Sequence, residues 1–197
     1  THHLYNYLPT KHEKWLTMIK QEIIDSGLII DILNAKTMEA VFRLLQGCSF
    51  LGSFLAYQYT IDMNYSPYIN FSENDFVKAG IGAIRGIKKC FLCYGNKCED
   101  AIWYVKEHFN DLLKRYGYTS FHPLPGHEPT LIDLQNCFCE TDKYLRAKMP
   151  ELRIGNVRIK QKYMPHTDPI QFFFPPKWNI VEMYKYKPIV VPTLFDL

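Results

Sequence analysis

The amino-acid sequence predicts a mainly α-helical domain carrying an irregular, partly extended basic tail. Three observations lead there. Apolar residues recur at three- and four-residue spacing through most of residues 1–150. Hydroxyl, amide and carboxylate residues stand where several of these stretches begin, as helix caps do. After Pro150 the periodicity gives way to alternation in RIGNVRIKQKYM and to the proline-bounded PIVVPTLF.

The elements follow in order. Trp15, Ile19 and Ile23 form an i, i+4, i+8 stripe, and Ser26-Gly27 supplies the stop. Thr37 opens a second helix from Met38 to Leu45. A third runs from Ser53 to Met63, with Leu55, Tyr59 and Asp62 near one face. Asn96 caps a long helix whose first turn carries Glu99 and Asp100, matching the helix dipole. Its stripe is Ile102, Val105, Phe109, Leu112 and Leu113, and Gly117 closes it. After the rigid connection FHPLPGHEP, Thr130 caps a last helix, with Asp133 three residues on, running to about Lys148.

Size and composition bound the function. The 197 residues suit one domain, with 1–150 as the helical body and 151–197 as an extension packed on it. At 47% hydrophobic and 22% charged residues the chain is globular rather than disordered. No apolar run has bilayer length, and THHLYNYLPTKHEKW lacks the apolar core of a secretory signal. The expectation is a soluble, cytoplasmic monomer with no membrane contact. A net charge of +3 does not by itself establish nucleic-acid binding. The placement of charge matters more, with clusters at Lys88-Lys89 and at Arg153, Arg158, Lys160 and Lys162. Cys90-x2-Cys93-x4-Cys98 raises a zinc site, but Cys137-Phe-Cys139 has the wrong spacing to complete one. The cysteines therefore read as structural thiols, with no metal and no cofactor. The isolated His108, His122, His127 and His166 read as packed or exposed.

Three stretches could carry chemistry. In LLQGCSFLGSFLAYQYTIDM two helices meet at a turn containing Gly47 and Gly52. Such a turn lets backbone N–H groups and a helix N-terminus approach a phosphate. An ordinary helical corner uses the same glycines. In FSENDFVKAGIGAIRGIKKC, Ser72 and Asp75 make a capping pair, which would explain Asp75 without catalysis. Gly80 and Gly82 then interrupt a helical pattern at about 1 kcal/mol each, which close approach by a ligand or another backbone would justify. In DLQNCFCETDKYLR, Asn136, Glu140 and Lys143 share a helix face, with Gln135 beside it and Tyr144 close to Glu140. That face is either a solvated set of ion pairs or a polar wall for an extruded base.

Taken together, GSFLAYQYTIDMNYS, FSENDFVKAGIGAIRGIKKCF and LQNCFCETDKY resemble a branch of the helix-hairpin-helix DNA glycosylase superfamily concerned with hypermodified bases. That branch includes the alpha-glutamyl/putrescinyl thymine pyrophosphorylase family and the helical domain attached to hydroxymethyluracil DNA kinases. The resemblance covers roughly residues 10 to 165. It implies a bilobal helical fold that clamps double-stranded DNA carrying modified bases. It implies Asp75 as catalytic carboxylate, with Glu73 second. Gln58, Asp62, Asn136, Glu140, Lys143 and Tyr144 would contact the base. Gly52, Ser53, Gly80, Gly82, Arg85, Lys88, Lys89, Arg158 and Lys160 would hold the DNA backbone. Phe50 stands where the hairpin's first glycine is expected, and no lysine nucleophile precedes the hairpin helix, which favours a monofunctional mechanism. The implied activity is excision of a hypermodified pyrimidine from phage DNA, in antiphage defence. The alternatives are a transferase that replaces a pyrophosphoryl group on hydroxymethyluracil, and a DNA-binding module without chemistry.

Overall fold

The computed structural model describes residues 2–124, 126–153 and 174–180. Among these residues the protein has eight α-helices and no strand, so it is mainly α. The alternating stretch after Arg153 lies outside the described residues.

Helix α1 (Lys11–Met18) opens on a reciprocal cap in which the Glu13 amide donates to Thr10 Oγ1 and the Thr10 amide to Glu13 Oε2. It continues as a π-helical segment, Ile19–Asp25, and stops at Gly27, whose φ of +82° suits glycine. The wider π turn rephases the apolar stripe. Met18 is fully buried, whereas Ile19, expected inside, is 39% exposed. A short α2 (Leu28–Asn34) follows, which the sequence pattern had not separated. In α3 (Met38–Gln46) the Thr37 hydroxyl accepts from the Ala40 amide as expected. Met38, Val41, Phe42 and Leu45 are its buried face.

Helix α4 (Ser53–Asn64) and α5 (Ile81–Cys90) both start on glycine caps, Gly52 and Gly80. The long helix expected from Asn96 is two helices. These are α6 (Glu99–Glu107) and α7 (Phe109–Arg115), divided at His108 with no glycine or proline to announce the break. Asn96 is not its cap either. Asp100 reaches back to accept from the Asn96 and Lys97 amides at 2.9 and 3.1 Å. The last helix, α8 (Leu131–Lys148), begins as expected, with Asp133 Oδ2 accepting from the Thr130 amide and hydroxyl.

The core centres on α5 packed along α8. Gly82 and Gly86 lie one turn apart on the same face of α5. A Cβ on Gly82 would stand 3.0 Å from Cys139 Sγ, and one on Gly86 only 2.0 Å from the Phe138 carbonyl oxygen. The glycines of this segment therefore admit a neighbouring helix. Next on that face, Lys89 donates to Asp142 at 2.6 Å, with both side chains under 5% exposed (4% and 3%).

Candidate nucleic-acid interface and carboxylate loop

The turn from α3 to α4 is held from below. Glu22 accepts from the Ser49 amide at 2.7 Å and from the Tyr5 hydroxyl at 2.6 Å. Burial pushes the Glu22 carboxyl up, but these hydrogen bonds outweigh it and leave it below its ordinary value. Burial, followed by the Glu22 contacts, pushes Tyr5 up to about 12. Phe50, standing where a hairpin glycine is expected, adopts the left-handed conformation itself, with φ +67°. Its ring stacks on Trp15 at 5.8 Å and tilts against Tyr5 at 5.6 Å, contacts that offset the strain of about 1–2 kcal/mol.

Beyond the turn, two helix starts meet. A Cβ on Gly80 would lie 3.0 Å from the Phe54 ring and 3.7 Å from Gln135 Nε2. The first turns of α4 and α5 are therefore neighbours. Neither has a side-chain cap or an acidic residue in its first turn. The leading N–H groups of an α-helix have no intrahelical acceptor and carry the positive end of the dipole. Gly52 and Ser53 are exposed, so the α4 start faces solvent with donors available to an anion. At the α5 start only Ile81 is exposed, Gly80 and Ala83 are buried, and the Ala79 amide before the cap donates to Glu99 Oε1 at 3.1 Å. Ser53 Oγ accepts from Gln46 Nε2 at 2.6 Å, which fixes the α4 start.

The segment between α4 and α5 carries both candidate carboxylates and is pinned at several points. Buried Asn64 accepts from the Phe71 amide at 2.8 Å and donates to the Phe71 carbonyl at 3.1 Å. Asn74 Oδ1 accepts from the Leu131 amide at 3.2 Å, capping α8 from a distance. Ser72 and Asp75 do not cap a helix as the capping-pair reading expected. The Asp75 amide closes a turn on the Ser72 carbonyl, and the next helix waits until Ile81. The physical reason is the extended chain over 76–80, where Val77 and Ala79 enter the core.

Glu73 and Asp75 diverge from this turn. Glu73 is buried, and its Oε2 accepts from Trp178 Nε1 at 2.8 Å while Oε1 has no hydrogen-bond partner. Trp178 stacks on His127 at 3.6 Å and meets Tyr65 edge-on at 5.7 Å. Burial, then the Glu73 charge, pushes the Tyr65 hydroxyl well up. Lys177 donates to the Asn64 and Phe71 carbonyls, and burial lowers its pKa despite Glu73 nearby. Asp75 is exposed, and its carboxylate makes no hydrogen bond or ion pair with the described residues.

Residues 3–154 match a family described as the helical domain of 5-hmdU DNA kinase. The chain belongs to this family. No curated protein and no solved structure matches the chain. The family ties this helical domain to the metabolism of modified bases in DNA. Both glycine-capped helix starts and the carboxylate loop lie inside the matched residues, whereas Lys177 and Trp178 lie outside them. Among the described residues, no helix of the domain is long and apolar enough to cross a membrane.

The other expected residues of the helical domain divide by helix phase. Asn136, Glu140, Lys143 and Tyr144 are all exposed on the outward face of α8, and Lys143 pairs with Glu140 there. The inward face carries Gln135, fully buried, with Oε1 unpartnered. On α4, Asp62 is exposed and Gln58 is half-buried with its Nε2 unpartnered. Lys88 is exposed and Arg85 half-buried, and neither is paired among the described residues. Lys89 needs correction. It points into the α5–α8 interface on Asp142 and is withheld from a phosphate. Arg158 and Lys160 lie outside the described residues.

Sequence reasoning missed Asn74, Tyr65, Lys177 and Trp178. Asn74 stood in plain view beside the candidate acids. The Trp178–Glu73 contact spans 105 positions, and nothing local signals it.

Proposed function

We propose that this helical domain grips DNA through its two neighbouring glycine-capped helix starts, extrudes a modified pyrimidine nucleotide and cleaves its glycosidic bond. The observation that carries the reading is the pair of starts itself. Two neighbouring glycine-capped helix N-termini with no acidic residue in their own first turns match adjacent phosphates without reading sequence, the α4 start being the more open. Arg85 in the middle of α5 and Lys88 in its last turn add unpaired positive charge. The buried Gln58 Nε2 and Gln135 Oε1, a donor and an acceptor without hydrogen-bond partners, are of the kind a base edge would satisfy.

In this mechanism the nucleotide leaves the stack at a cost of a few kcal/mol. The bond from C1′ to the base then breaks, and its electron pair leaves with the base. Asp75 stabilises the cationic sugar and takes a proton from the water that attacks C1′, leaving an abasic site. Asp75 is favoured over Glu73 because its carboxylate is open, whereas Glu73 is enclosed under Trp178. Asn136, Glu140, Lys143 and Tyr144, on the exposed face of α8, would meet a bulky substituent rather than the base edge. Phage DNA rich in such bases is the natural substrate class, and removing them would serve antiphage defence.

The test uses duplexes containing hydroxymethyluracil, glucosylated hydroxymethylcytosine or unmodified bases, with and without an amine donor. Alkali-labile abasic sites in a modified duplex without donor, lost in Asp75→Asn with binding retained, are the expected result. Base release that persists in Asp75→Asn refutes the assignment of Asp75. A heavier base formed only with the donor points instead to transfer. Binding with neither product points to a recognition module serving a kinase.

A further inference from the structure

A second feature lies at the far end of α5. The chain leaving that helix through Phe91, Cys93, Tyr94 and Gly95, together with Asp100, Ala101 and Tyr104 of α6, lines an open cavity of about 410 Å3. Its size is in the range of small-ligand sites, roughly 300–1,000 Å3. The Phe91 and Tyr104 rings stand perpendicular, with centroids 6.4 Å apart and planes at 89°. They form two walls of a corner. A flat ring stacked on one wall presents its edge to the other, which is the preferred geometry for aromatic groups. Ala101, 3% exposed, and side-chain-free Gly95 keep the corner open. Gly95 has no choice in this, since a Cβ there would stand 2.7 Å from Asp100 Oδ2.

One charged group in the lining sets orientation. Asp100 spends Oδ2 on the Asn96 and Lys97 amides and keeps Oδ1 without a partner among the described residues. A carboxylate oxygen fixed in this way accepts an N–H from a ligand and repels a carbonyl. Its natural complement is an exocyclic amine on a planar heterocycle, as when a carboxylate accepts from cytosine N4. Lys97 beside it is exposed and suits a phosphate attached to such a ring.

We propose that this cavity is a nucleobase site that takes an amino-bearing base by stacking on Tyr104 and hydrogen bonding to Asp100. It is separate from the helix starts. The 10 residues of α5 place its two ends about 15 Å apart, the span of about four nucleotides at 3.4 Å each. A strand held at the start of α5 would thus bring a base to this cavity without bringing the same nucleotide to Asp75. The site does not depend on base release, so either reading can fail alone.

The test is calorimetric titration of the full chain with dCMP, dTMP and the single strand (dC)6. Expected are binding of dCMP in preference to dTMP and at least tenfold weakening of dCMP binding in Tyr104→Ala, in line with the stacking worth of one base. Tyr104→Phe retains affinity. Tyr104 is 45% exposed, so truncating it spares the fold, which an unchanged melting temperature verifies. Asp100→Asn keeps an oxygen for the two loop amides and turns its amide toward the cavity, so the preference shifts from dCMP toward dTMP. Much tighter, salt-sensitive binding of (dC)6 identifies a base within a strand as the occupant, and equal affinities identify a free nucleotide. No binding of dCMP or (dC)6 at millimolar concentration overturns the proposal. Binding that Tyr104→Ala and Asp100→Asn leave unchanged overturns it as well.

Discussion

Gly86→Ala sets two well-known effects against each other. Helix propensity alone predicts stabilisation by about 1 kcal/mol, because glycine in a helix interior is the poorer residue. Packing predicts the reverse. The new Cβ would lie 2.0 Å from the Phe138 carbonyl oxygen, a backbone atom that no rotamer change can move. Carbon and carbonyl oxygen sit about 3.3 Å apart at closest comfort, so α5 and α8 must separate by roughly 1.3 Å. A gap of 0.5–1 Å already forfeits about a quarter to a half of each dispersion contact it opens. The contacts at stake are those between the core faces of the two helices, to which Ala83 and Ile87 of α5 and Phe138 of α8 belong. Overpacking of a close-packed interior costs about 1–3 kcal/mol, and a clash with backbone belongs at the upper end. The propensity gain cannot cancel it, and a net loss of about 2 kcal/mol is expected. Gly82→Ala is the internal control. Its Cβ would crowd Cys139 Sγ at 3.0 Å, the tip of a side chain, and would meet the Cys139 Cβ and Cα at ordinary contact distances of 3.5 and 3.7 Å. Urea unfolding reads both variants, with an unchanged slope confirming that only stability moved. If Gly86→Ala is as stable as the parent, the close helix approach described here is wrong.

Other predictions test neighbouring claims. Lys89→Met should destabilise by about 2 kcal/mol in the same unfolding assay, because it removes the closer of the two cations on buried Asp142 and leaves only Arg146 Nε at 3.8 Å. Lys88→Met, one residue away and exposed, should leave stability unchanged but lower the salt dependence of DNA binding by about one counterion. The Tyr5–Glu22 contact should bracket stability in pH. Glu22 sits below its ordinary value, so its contribution is present above about pH 4 and is lost as the pH falls through the folded value. Tyr5 is raised to about 12, so its contribution is present below its ordinary value and is lost as the pH rises toward 12. Glu22→Gln should flatten the acid limb of a plot of urea midpoint against pH, and Tyr5→Phe the alkaline limb. Parallel wild-type and variant curves would refute the assignment.

What the sequence made legible is what local chemistry decides. Thr37 and the Thr130–Asp133 pair cap the helices they were expected to cap, because capping is settled within four residues. The two glycines of the α5 segment signalled a close approach, and a packed helix is the neighbour that requires it. Lys89 shows what was readable but passed over. Gly82, Gly86 and Lys89 follow one another at i, i+4 and i+7, so a face that admits a helix at the first two positions carries the lysine into it as well. The π segment after Met18 was not readable, since a single wider turn shifts phase without changing composition. The partners of Glu73 could not be read either, because they come from a segment far along the chain.

The contrast between Glu73 and Asp75 shows why proximity in sequence is a poor guide to shared chemistry. Two carboxylates two residues apart would be interchangeable in a flexible loop, and either could meet a sugar. This loop is not free to choose. Asn64 clamps the backbone at Phe71, Asn74 is committed to the α8 start, and the chain beyond Phe76 is drawn into the core. With both ends fixed, the turn at residues 73–75 breaks the alternation that would put positions two apart on one side, and sends one acid inward and the other outward. The inward acid is consumed by Trp178, whose Nε1 donates to it, inside the fold. The outward acid has no partner among the described residues. A rigid support for an unpartnered charge is what catalysis by positioning requires, since a group that reorganises on binding gives up much of its advantage. Asn74, bound to one helix and seated between two acids, is therefore the residue on which the orientation of Asp75 depends.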